Sequence, residues 1–111
     1  MKKREHTFPH KRPRNVLVAW LLGWRKINIE DVPVGAAFSS GRVGKDYHAC
    51  LLLEPWREWS EQGATRTFHR VSARCRVWHV ILKSDGPVEC DLSEPFIFTK
   101  GNAVWTFVPR A

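Results

Sequence analysis

Apolar and polar positions along this chain change over short distances, and the pattern breaks repeatedly at Gly, Pro, Ser and Asp. The longest apolar stretch covers residues 16–24 and is polar on no side. Pro13 disfavours helix just before it, and Asn15 is a good N-cap residue. The segment 15–26 therefore predicts one short helix, which Gly23 weakens. Val16 and Val18 also allow a strand there, because periodicity cannot arbitrate a run that is apolar all round.

Downstream, the signals are mostly those of strands. Residues 36–38, 47–53, 65–71, 74–83, 88–92, 96–99 and 104–108 are short runs of strand-forming or apolar residues bounded by turn formers. Pro55 ends the run at 47–53, and residues 56–62 fit a helical turn or a loop. Residues 65–71 and 74–83 read as a hairpin joined near Ser72 and Ala73. Asp85-Gly86-Pro87 and Lys100-Gly101-Asn102 are turns. Short strands spaced by turns predict a mainly β (α+β) fold: a small β-barrel or a two-layer antiparallel sheet with one short N-terminal helix.

Composition bounds the size of the core. A chain of 111 residues, 43% hydrophobic, suffices for one domain and is short for two. Six Trp and six Phe supply large core-filling surface. Charge then divides the chain. The net charge is +7, and residues 1–14 hold Lys2, Lys3, Arg4, Lys11, Arg12 and Arg14 against Glu5 alone. Five of the seven net charges thus sit in a segment with little to bury. The expectation is a disordered basic arm at 1–14 and a single β-rich domain, nearly neutral, at 15–111.

A basic arm neutralises phosphates and gives salt-sensitive, sequence-independent affinity for polyanions. Specific contact needs a second surface. Alternate residues of a strand share a face, which places Arg66, Phe68 and Arg70 together, and likewise Arg74, Arg76 and Trp78. Paired as a hairpin, they interleave arginines that hold phosphates with aromatics that stack bases. The rival arrangement buries Phe68 and Trp78 and leaves the arginines at the rim, paired with Glu54, Glu58 or Glu61. Trp56 and Trp59 share a face if their segment is helical, and with Arg57 they form a second candidate surface, suited to a protein partner.

Three cysteines, Cys50, Cys75 and Cys90, do not form an even disulfide framework, which points to a reducing, cytoplasmic setting, with a Cys75–Cys90 bridge as the alternative. His48 with Cys50 and Cys75 with His79 offer a Cys2His2 zinc set, although the spacing is not that of a zinc finger or ribbon. No cofactor is expected otherwise. A basic segment before an apolar run resembles a signal peptide, but Arg25 and Lys26 stand where small residues of a cleavage site belong. The run is about half the length of a membrane span, and no membrane partner is expected. A peripheral anchor lying in a lipid interface is the exception left open.

Catalytic signals are thin. Cys50, Cys75 or Cys90 with His48, His69 or His79 form no recognisable nucleophile motif. The Gly-rich segment 40–45 lacks the spacing of a phosphate-binding loop. The sequence therefore points to a small basic protein that is not an enzyme and binds nucleic acid. The alternative is a protein–protein interaction module, in the style of a phage, plasmid or viral accessory factor.

Overall fold

The computed structural model describes residues 11–13, 15–40, 46–81 and 86–107. It begins with one helical turn and a half, α1 (Val16–Leu21), capped by Asn15, whose side chain accepts hydrogen bonds from the backbone N–H groups of Leu17 (2.8 Å) and Val18 (3.3 Å). The predicted helix is cut short. Gly23 adopts φ +106°, a left-handed conformation that a side chain disfavours, and the chain turns there into strand β1 (Trp24–Asn28).

Eight further strands follow: β2 (Ala37–Ser40), β3 (Tyr47–Leu52), β4 (Arg57–Gln62), β5 (Thr67–Ala73), β6 (Cys75–Val80), β7 (Val88–Cys90), β8 (Phe96–Thr99) and β9 (Ala103–Phe107). They form two antiparallel sheets. The larger has the order β1-β9-β2-β3-β6-β7 and the smaller β4-β5-β8. The fold is thus the mainly β, two-layer arrangement with a short helix. The barrel alternative is not realised, because β1 and β7 remain open edges of the larger sheet among the described residues.

The predicted hairpin between 65–71 and 74–83 does not form. β5 pairs with β4 and β8, whereas β6 pairs with β3 and β7. A long ribbon explains this. β3 pairs with β6, and β4, which continues from β3, pairs with β5, which leads into β6. The ribbon bends at a corner where the Leu53 N–H donates to Arg74 O (3.0 Å) and the Arg74 N–H donates to the Glu54 carboxylate (2.8 Å). Pro55 lies in that corner, where it offers no N–H to a ladder. Its far half folds over as the second layer. The tip lies at residues 63–66, closed by Gly63 N–H to Arg66 O (2.8 Å), so residues 57–62 are a strand and not a helical turn or loop.

The core fills the space between the layers. Phe38, Cys50, Leu52, Val77 and Val104 from the larger sheet meet Val71, Ala73 and Phe98 from the smaller. Trp56 joins them at the corner. Its ring packs edge-on to Phe38 and Phe98, both at 5.9 Å, and its indole N–H donates to Val32 O (3.1 Å). On the opposite face of the larger sheet, Tyr47, Ala49 and Val80 form a smaller cluster.

Candidate functional site

The bend in the ribbon decides which predicted residues meet. Directly opposed residues of an antiparallel pair share a face. Val71 and Phe98 point inward, so Arg57, Trp59 and Glu61 of β4 and Phe68, Arg70 and Ser72 of β5 point outward. Arg66, in the tip, lies with its guanidinium carbon 4.8 Å from the Phe68 ring centroid, and that of Arg70 lies at 5.2 Å. Trp59 is paired across the ladder with Arg70. One exposed sheet face therefore carries Arg57, Trp59, Arg66, Phe68 and Arg70. It merges half of the predicted arginine–aromatic set with two of the three residues assigned to a protein interface.

Glu61, which the sequence offered only as a pairing partner, orders this face. Its carboxylate accepts from the Trp59 indole N–H (3.1 Å) and lies 3.7 Å from Arg70 Nε. Arg70 also donates to the Thr99 hydroxyl (2.8 Å). These groups are partly exposed, so the ion pair contributes orientation more than stability. Three arginines against Glu61 leave the face basic. Gly63 makes the aromatic position possible: a Cβ there would lie 2.5 Å from Phe68 Cε2 and 2.8 Å from Arg66 O.

The other half of the predicted surface is elsewhere and engaged. Trp78 lies on the outer face of the larger sheet and is only 5% exposed, so its ring is not open for stacking. Arg76 sits 5.4 Å from that ring and is ion-paired with Glu89 across β6 and β7. Arg74, at the corner, shares a groove of about 540 Å³ with Arg76, Glu89, Asp91 and Glu94. Two arginines facing three carboxylates make a poor polyanion site. Trp56, just before β4, packs against the core, whereas Trp59 of β4 points outward, so the two do not form one surface.

Of the predicted arm, Lys2, Lys3, Arg4 and Arg14 lie outside the described residues. Lys11 is exposed. Arg12 is not a free cation: it is 2% exposed, donates to Ser39 Oγ (3.0 Å) and stacks 4.3 Å over the Tyr47 ring, while its own N–H meets the Tyr47 hydroxyl (3.2 Å). Burial lowers the Arg12 pKa and raises that of Tyr47. Arg12 pins residues 11–13 to the outer face of the larger sheet.

The four zinc candidates share the inner face of β3 and β6 but are strung along it. His48 opposes His79, with stacked rings 5.0 Å apart, whereas Cys75 opposes Leu52 at the other end. Among the described residues no three metal-ligating side chains converge. Cys50, Cys75 and Cys90 are free thiols. Burial pushes the Cys50 thiol well up, and burial with Glu54 pushes Cys75 up to about 12. Both are thus protonated at neutral pH, unlike an activated nucleophile. Comparison with protein-family models, with curated proteins and with solved structures returns no match to this chain.

Proposed function

We propose that this protein is a non-catalytic binder of single-stranded nucleic acid that uses the outer face of the β4-β5-β8 sheet. One observation carries the reading: Trp59 and Phe68 lie half-buried on a solvent-facing sheet face among Arg57, Arg66 and Arg70. Aromatic rings on an open sheet stack unpaired bases, and neighbouring guanidiniums hold the phosphates between them. Lys11 and the basic residues of 1–10 add charge that tracks the backbone without reading sequence. Arg74, Arg76 and Trp78 take no part. An unpaired strand suits the face better than a duplex, because Trp59 needs a base plane to stack on, and a base on Phe68 takes the place of Arg66 or Arg70 over its ring.

The test is binding of single- and double-stranded oligonucleotides across a salt series. Wild type binds single strands with log-affinity falling against log salt. Arg66→Ala with Arg70→Ala reduces that slope by about 1.4, from roughly 0.7 per phosphate contact. Trp59→Ala costs about 1–3 kcal/mol of binding with the slope unchanged. No wild-type binding at low salt would overturn the assignment. Retained protein partners with a lost oligonucleotide signal would favour the interaction-module alternative, now reduced to Arg57 and Trp59.

A further inference from the structure

The helix α1 is the least explained feature of the fold. Of its residues only Ala19 is buried; Val16, Leu17, Val18, Trp20 and Leu21 are between 44% and 64% exposed, and Leu22 beyond it is 58% exposed. A contiguous apolar knob of this kind is rare on a protein surface and marks a contact site. Its surroundings are basic. The Arg25 guanidinium donates to Trp20 O (2.6 Å) and lies 4.7 Å from the Trp20 ring centroid, and Lys26 next to it is exposed. The nearest acids in sequence, Glu30 and Asp31, lie beyond the far end of β1, and Glu30 is held by the Gly101 N–H at 2.9 Å.

Charge across the larger sheet is polarised. Helix α1 packs on β1, one edge strand, with Arg25 and Lys26 beside it, whereas Glu89, Asp91 and Glu94, on or just after β7 at the opposite edge, outnumber Arg74 and Arg76 facing them. Five inter-strand spacings of about 4.8 Å separate those edges, roughly 24 Å. An anionic surface thus favours the α1 edge over the β7 edge.

We infer that α1 is a membrane-surface anchor: Leu17, Trp20, Leu21 and Leu22 enter the interface of an anionic bilayer while Arg25 and Lys26 meet the lipid phosphates. A Trp ring with an arginine on its face is amphipathic in the way that suits the headgroup level. A second copy of the chain is a worse occupant. A two-fold contact through α1 would join two edges that each carry Arg25 and Lys26. This inference is independent of the sheet-face site, which lies on other strands.

Sedimentation with phosphatidylcholine vesicles, with and without phosphatidylglycerol, tests it on the full chain. Wild type binds the anionic vesicles, more weakly as salt rises. Leu17→Gln with Leu22→Gln, both at exposed positions, lowers vesicle affinity at least about tenfold, because each loses apolar surface that would enter the interface. The Arg66→Ala, Arg70→Ala variant keeps its vesicle binding, which separates the anchor from the nucleic-acid face. Three results would overturn the inference: no wild-type binding to anionic vesicles at low salt; equal binding by the leucine variant, which would mean charge alone; or self-association of the wild type abolished by that variant, which would make α1 a contact between copies.

Discussion

At the scale of single residues, burial decides the chemistry of the titratable groups. His48 is held below its ordinary value of 6.5, first by burial and then by His79 stacked on it. The unfolded chain then takes up this proton at a higher pH than the folded one, so stability falls as pH drops below about 6.5. His48→Gln should flatten that part of a melting-temperature profile against pH; an unchanged slope would remove His48 from the account. Arg12 makes a different point. A cation in an arm reads as solvated, yet its guanidinium is buried on Tyr47 and Ser39. Arg12→Ala leaves the Ser39 hydroxyl and the Tyr47 face without their partner, and should cost about 1–3 kcal/mol in urea unfolding. Nothing in the order Lys-Arg-Pro-Arg distinguishes Arg12 from its neighbours; only the packed sheet does. The thiols follow the same logic. In the folded protein, Cys50 and Cys75 should resist iodoacetamide at about pH 8 and react once the chain is unfolded. Rapid labelling would contradict the burial of Cys50 or the raised pKa of the half-buried Cys75.

At the scale of elements, the ribbon formed by β3, β4, β5 and β6 shows where local signals mislead. Strand type at 47–53, 65–71 and 74–83 was legible from β-branched and aromatic content. The pairing was not, because two strand-like runs separated only by Ser72 and Ala73 invite a hairpin. The usable clue was turn chemistry. Ser72-Ala73 is a poor turn, whereas Gly63-Ala64-Thr65 is a good one, and β4 between Trp56 and Gly63 hides behind charged residues that face solvent. Gly63 tests this geometry. Gly63→Ala places a methyl against Phe68 and Arg66 O, and should cost about 1–3 kcal/mol. It should weaken oligonucleotide binding as well, since Phe68 must move. An unchanged melting temperature would show that the tip has room to spare. The end of α1 carries a similar lesson: Gly23 was visible as a weak point, but its left-handed backbone, which releases Trp24–Asn28 into a strand, is imposed by the pairing of β1 with β9.

At the scale of the whole molecule, two open sheets enclose one core, and Trp56 at their corner ties the layers together. Trp56→Ala removes its contacts with Phe38 and Phe98 and should cost about 3 kcal/mol or more. A loss confined to surface binding, with stability intact, would return Trp56 to the exterior. Among the described residues no helix is long and apolar enough to cross a membrane, and α1 is far shorter than a span. What the sequence determined by itself is what depends on neighbours in the chain: the mainly β class, the Asn15 cap, most strands, the Lys100–Asn102 turn and the concentration of charge near the N-terminus. The tertiary structure alone decided which side chains share a surface. It moved Trp78 and Arg76 away from Phe68, buried Arg12, put Trp56 in the core and brought Arg57 and Trp59 beside Arg66, Phe68 and Arg70. The physical reason is that alternation along a strand gives each residue one of two faces, while the bend of a ribbon and the order of strands in a sheet decide what each face meets.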